Sequence, residues 1–122
     1  MGKHVLLIED EPNITEAIRF ILRRDGWQVT AHAQGQDAAS LVQRMRPDLV
    51  ILDIMLPGRS GFDILNDLRA DPATCAIPVL MLTAKGHDRD REQAERQGVT
   101  RFMTKPFANS DVLSAVRELV GP

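Results

Sequence analysis

The chain has 122 residues, 43% of them hydrophobic and 26% charged, the size of one ordinary domain that can bury roughly two-thirds of the surface its unfolded form exposes. A net charge of -2 gives no electrostatic footprint for nucleic acid or an anionic membrane. The solitary Cys75 excludes an internal disulfide, and no segment has the length or apolarity of a signal peptide or membrane span. "MGKHVL" lacks the hydroxyl residue that a myristoylation signal requires at its sixth position. A cytoplasmic location, no membrane contact and no direct binding of nucleic acid are therefore expected.

In chain order, the first extended candidate is His4 to Glu9, an apolar run that stops on Glu9, Asp10 and Glu11 before Pro12. Proline suits the first position of a helix and acids suit its positive end, so "DEP" reads as a strand-to-helix junction. Burying unpaired carboxylates is costly, however, and three at the end of a core segment call for a further reason. Ile14, Ala17, Ile18, Ile21 and Leu22 then form one apolar helix stripe, closed by Asp25-Gly26. Trp27 to Ala33 is the second strand candidate, and Ala38, Leu41, Val42 and Met45 mark the second helix.

Asp48 to Asp53 is the third strand candidate; a loop shaped by Pro57-Gly58 and Gly61 leads to a helix with Phe62, Leu65 and Leu68 on one face. Pro78 to Thr83 and Val99 to Thr104 complete five strands, and Val112, Val116, Leu119 and Val120 mark the last helix. Between strands 4 and 5, "GHDRDREQAERQG" has only Ala94 as an apolar residue. Its docking must use that alanine and the aliphatic stems of Arg and Gln, so it is expected to be a solvated, loosely held helix.

Alternating strands and helices at this spacing define an α/β fold with a parallel sheet covered on both faces. "VLLI", "LVIL" and "VLML" are continuous apolar runs suited to central strands, whereas "WQVTAHA" and "VTRFMT" interleave polar residues as edge strands do. Strand order 2-1-3-4-5 follows, a doubly wound five-stranded (βα)5 sheet whose ligand crevice opens between strands 1 and 3. In such a sheet all strand C-termini share one rim. Glu9, Asp10, Asp53, Thr83 and, just past strand 5, Lys105 therefore converge there.

Three close carboxylates against one lysine imply a cation. All-oxygen donors favour a hard ion, and a site with few carboxylates suits Mg2+ better than Ca2+, with Mn2+ as its substitute. No EF-hand loop is present, and His4, His32 and His87 have no metal-binding spacing. The open positions of such an ion are commonly filled by phosphate. Lys105 would meet phosphoryl oxygens as a point charge, Thr83 would offer a hydroxyl, and Asp53, between the other acids, is a competent nucleophile for an aspartyl phosphate. Taken singly these residues have plainer readings: Thr83 as a loop cap, Phe102 as core, Lys105 as a solvated lysine.

"LLIEDEP", "LVILDIMLPGRSGFDIL", "PVLMLTAKG" and "FMTKPF", in this order and spacing, resemble the receiver domains of two-component response regulators over essentially the whole chain. The resemblance implies a flavodoxin-like fold and a non-enzymatic, phosphorylation-controlled switch. It implies Asp53 as phosphoacceptor, Asp10 as direct Mg2+ ligand, Glu9 acting on the metal through water, and the Met55 backbone carbonyl completing the coordination. Thr83 and Lys105 match the family's phosphoryl-binding hydroxyl and lysine, Phe102 its switch aromatic, and Lys105-Pro106 its cis peptide. The phosphoryl donor would be a histidine kinase or histidine phosphotransfer protein; the downstream protein target is unknown.

Some positions depart from the family pattern. Glu9 stands for the commoner Asp, Phe102 for a frequent Tyr, and Thr100-Arg101 for the acidic pair of the winged-helix transcription-factor branch, so that branch's charged dimer network is not carried over. Residues 1–122 are expected to be a single receiver domain with no effector domain in this chain. Gly-Pro at the end suits either a natural terminus or a boundary before such a domain. Two rival readings are weaker. A phosphatase with an aspartyl nucleophile usually has a second Asp where Met55 stands; a flavin carrier would need a hydroxyl-rich loop after strand 1, and the chain's one Trp and absence of Tyr leave little to stack on the ring.

Overall fold

The computed structural model describes residues 3–84 and 88–121. Lys85-Gly86 of the motif "PVLMLTAKG", the Gly86-His87 opening of the charged helix and Pro122 lie outside the described residues. The elements alternate as β1 (His4–Ile8), α1 (Pro12–Arg24), β2 (Gln28–His32), α2 (Ala38–Met45), β3 (Leu49–Asp53), α3 (Gly61–Ala70), β4 (Val79–Thr83), α4 (Asp88–Arg96), β5 (Arg101–Thr104) and α5 (Asn109–Val120). All strand pairs are parallel, and the sheet order is β2-β1-β3-β4-β5. The flavodoxin-like order and both edge assignments are as the apolar runs require.

The pleat sends alternate side chains to opposite faces, and two cores result. Val5, Leu7, Leu49, Ile51, Leu80 and Leu82 pack on one face against Ile18 and Leu22 of α1 and Val112, Ala115 and Val116 of α5. Leu6, Ile8, Val50, Leu52, Val79 and Met81 pack on the other against Ala38 and Val42 of α2, Ile64, Leu65 and Leu68 of α3, and Ala94 of α4. β3 and β4 are buried along their whole length, whereas β5 is half-exposed. Ile64 and Ala115 join the helix stripes read from periodicity, while Leu41 and Phe62 stay only partly buried.

The strands are one or two residues shorter than their apolar runs, and at two of them a helix ending takes the flanking residue. Trp27 N–H donates to the Leu22 carbonyl and Gly26 N–H to Arg23, with Gly26 at φ 94°, which ends α1 in a left-handed turn. Val99 N–H likewise goes to Ala94 in α4, so the fifth strand opens at Arg101 and not at Val99. Glu9 lies just past β1 but still donates its N–H to the His32 carbonyl. That bond holds the acidic junction to the sheet.

Helix α4 rests on the core through Ala94, its one buried residue. Its remaining ties are polar. Gln97 beyond its end donates to the Phe62 carbonyl at 2.7 Å, Arg69 of α3 donates to the Gly98 carbonyl at 2.8 Å, and the Arg91 guanidinium sits 5.1 Å from the Phe102 ring centroid. Among the described residues no helix is long and apolar enough to cross a membrane.

Candidate active site

Asp53 ends the central strand β3, Thr83 ends β4 beside it, and both are buried at 3% exposure. Lys105 follows β5 directly, and its backbone N–H donates to the Thr83 carbonyl at 2.6 Å. The peptide bond to Pro106 is cis. The bond to Thr83 holds the lysine backbone at the rim, beside the acids. Its ammonium lies 2.9 Å from Glu9 Oε1 and 3.4 Å from both Glu11 Oε1 and Asp53 Oδ1.

Glu9 is 2% exposed, and apart from the lysine its Oε1 has no hydrogen-bond partner among the described residues. Its Oε2 accepts from the Glu11 N–H at 3.1 Å. Glu9, Asp10 and Asp53 each place a carboxylate oxygen within 4.8 Å of the others. Asp10 is the exposed member. Three hard oxygen donors at this separation, one of them buried with only the lysine against it, fit a small divalent cation with open positions for water or phosphate.

The electrostatics bear the same mark. The Asp53 carboxyl is raised to about 6, by burial first and by the Glu9 charge second, with Lys105 opposing both. Burial disfavours the Lys105 charge, but contact with Glu9 and the charges of Asp53, Glu9 and Glu11 outweigh it, and its pKa is raised. The lysine stays cationic, and added positive charge in the pocket would favour the ionised aspartate, as Lys105 does.

The turn after Asp53 closes over the site's base. Gly61 N–H donates to the Ile54 carbonyl at 2.8 Å, and a Cβ at Gly61 would lie 2.3 Å from the Asp53 carbonyl oxygen. Only glycine allows this approach. Met55 lies in that turn with an exposed side chain, and Phe102 on β5 is partly buried beneath Arg91.

All the rim residues read from strand ends, Glu9, Asp10, Asp53, Thr83 and Lys105, thus come together, with Phe102 and Met55 outside the lysine's contacts. Sequence reasoning missed Glu11 as a lysine contact. It stands at the N-cap of α1 in an extended conformation, yet makes no side-chain cap. The available signal was its place next to Pro12, which fixes the helix entry and leaves a third acid beside the rim.

Fold and pocket define a class: a doubly wound α/β domain with an acid-lysine pocket at the switch point of its sheet. The family model described as response regulator receiver domain matches residues 5–117, and the chain belongs to that family. It is 40% identical over 116 residues to "Probable transcriptional regulatory protein TcrX" of Mycobacterium tuberculosis, covering 95% of this chain and 49% of that one. It is 33% identical over 120 residues to the phosphate regulon transcriptional regulatory protein PhoB of Escherichia coli, covering 98% and 52%. The chain spans about half the length of the curated relatives it matches. Among solved structures, the receiver domain of the sensor histidine kinase PA1611 of Pseudomonas aeruginosa, with a magnesium ion coordinated in its active site cleft, superposes with a TM-score of 0.90 at 30% identity and full coverage of both chains. The chain is a receiver domain of two-component signalling.

Proposed function

We propose that this receiver accepts a phosphoryl group on Asp53 from a phosphohistidine of a histidine kinase or phosphotransfer protein. The observation that carries the reading is Lys105 held against Asp53 and Glu9 in a buried pocket with three carboxylates. An Asp53 oxygen attacks the phosphorus, the P–N bond breaks, and its electron pair leaves on the imidazole ring, which takes up a proton. Little covalent work falls to the protein, and positioning and charge neutralisation dominate. Lys105 turns from Glu9 and Asp53 to the phosphoryl oxygens, and Thr83 offers its hydroxyl.

Asp10 and Asp53 would hold a Mg2+ ion directly, with the Met55 carbonyl, and Glu9 through water; Mn2+ would serve in its place. When bound, such an ion neutralises charge on the phosphoryl oxygens. The fit rests on the hard donor set and on Glu9 Oε1, buried without a partner other than the lysine.

The acyl phosphate adds about two negative charges at the rim. Thr83 moves toward them, Phe102 takes up the space released, and the surface of α4, β5 and α5 changes partners. The phosphoryl group shifts this equilibrium only by its different contacts in the two forms. Residues 1–122 act as a single receiver unit, a switch and not an enzyme with an external substrate, and the expected setting is the cytoplasm.

Incubation with a small phosphodonor and magnesium, read by intact mass, tests the assignment. One added phosphoryl group on wild type and none on Asp53→Asn is the expected result. If Thr83→Ala and Phe102→Ala leave phosphorylation-dependent partner binding unchanged, the relay through these residues is wrong.

A further inference from the structure

The phosphoacceptor reading leaves Glu11 without a task. Its position is unusual among the acids. Glu9 and Asp53 approach Lys105 from inside the pocket, with side chains 0% and 4% exposed, whereas Glu11 does so with a side chain 56% exposed. It is the N-cap residue of α1, and its carboxylate accepts from none of the free N–H groups of the first turn. Its carboxylate goes to the lysine instead.

Glu11 also lies in the wall of a cleft of 420 Å³ bordered by Ile14 and Ala17 of α1 and by Pro106 and Phe107 beyond β5. Lys105 is in the same wall, recessed at 9% side-chain exposure. Asn13 and Asn109 add polar groups to the lining, but these two are its only charges, and the ammonium of Lys105 in turn contacts Asp53. An anion entering it meets the Glu11 carboxylate before it can displace that carboxylate from the lysine.

We propose, resting on the phosphoacceptor reading, that Glu11 is a specificity-determining residue that discriminates among phosphoryl donors by their charge. It repels small free dianions and occupies the lysine they need. A phosphohistidine carried on a protein escapes this barrier when the donor's surface brings a cationic side chain over Glu11 and apolar side chains into the cleft. Removing the Glu11 charge therefore opens the site to small donors without improving the chemical step for a docked protein.

Two small donors separate charge from every other effect. Acetyl phosphate is a dianion near neutral pH; Asp53 attacks its phosphorus, the P–O bond to the acetyl group breaks, and acetate leaves with the electron pair. Phosphoramidate carries one net negative charge because its nitrogen is protonated; the P–N bond breaks and ammonia leaves. The experiment measures phosphorylation rates of wild type, Glu11→Gln, Glu11→Asp and Glu16→Gln with each donor at saturating magnesium, at low and high salt. Glu16 is a 73% exposed acid on α1 that contacts Arg19 and does not reach the pocket, so its variant controls for net charge.

For Glu11→Gln the expected rate increase is about three- to fivefold with acetyl phosphate, the size of one partly exposed charge contact, and distinctly smaller with phosphoramidate. Salt should shrink the gap, because screening weakens repulsion at an exposed carboxylate. Glu11→Asp should restore the preference in part, and Glu16→Gln should match wild type. Equal rates for wild type and Glu11→Gln, or an increase of the same size with both donors and at all salt concentrations, would overturn the proposal. Wild type unmodified at Asp53 by either donor would instead overturn the phosphoacceptor reading beneath it.

Discussion

The acidic rim and helix α4 are both dense in charge, yet they are held by opposite means. At the rim Glu9, Asp53 and Thr83 are buried, and each sits at or beside a strand end locked by ladder hydrogen bonds. In α4 one alanine is buried, and the acids and arginines face outward. Its C-terminal end is pinned by Gln97 and by Arg69, whose guanidinium also donates to the carbonyls of Cys75 and Ile77 and to Thr100 Oγ1. Beyond Ala94, its N-terminal half shows one described tie, Arg91 over Phe102. Buried charge requires fixed geometry because any mismatch is costly in a low dielectric. Exposed charge leaves an element free to re-dock at small cost. The molecule thus pairs a firmly held acidic centre with a shallowly seated helix.

This contrast can be broken most forcefully at Gly61. Adding a methyl group there drives a Cβ to 2.3 Å from the Asp53 carbonyl, so Gly61→Ala should cost about 3 kcal/mol. Chemical denaturation checks the stability, and slowed phosphorylation should accompany the loss. Lys105→Ala comes next. It leaves buried Glu9 without its counter-charge, and a loss of about 2–3 kcal/mol is expected, below the full range for buried pairs because the rim is open to water at Asp10 and Glu11. Urea melts in chelator read this directly.

Asp53→Asn should move stability the other way. The folded pKa near 6 lies above the ordinary carboxylate value, so the native state holds its proton more tightly than the unfolded chain. That favourable contribution is complete below about pH 4 and is lost as pH rises through about 6. At pH 7 in chelator, Asp53→Asn should therefore be more stable than wild type by about 1–2 kcal/mol, and the difference should vanish near pH 4. Thermal melts across pH give the curve. The smallest effect belongs to α4: Ala94→Gly should cost about 1 kcal/mol, and amide exchange should be faster in α4 than in α5 in wild type and faster still in the variant.

Much of this was legible before the coordinates. Continuous apolar runs identified β1, β3 and β4 as interior, and a parallel sheet then required Asp10, Asp53 and Lys105 to share a rim. The single Ala94 foretold the shallow seat of α4. Glu11 escaped because an acid before Pro12 is already explained by the helix terminus, and side-chain direction at an N-cap does not follow from spacing. The four-acceptor hub around Arg69 escaped for a similar reason. Its partners are backbone carbonyls from separate turns and a threonine, which no periodicity marks. Strand limits also shifted where a helix ending claimed the N–H of Trp27 or Val99.

Reductive trapping tests the central claim most directly. Borohydride converts an aspartyl phosphate to homoserine, so wild-type protein treated with phosphodonor and magnesium, reduced and mapped by peptide mass spectrometry, should show homoserine at position 53 and nowhere else. Homoserine at Asp10 or another acid, or an unreduced Asp53 in protein exposed to donor, would contradict the account.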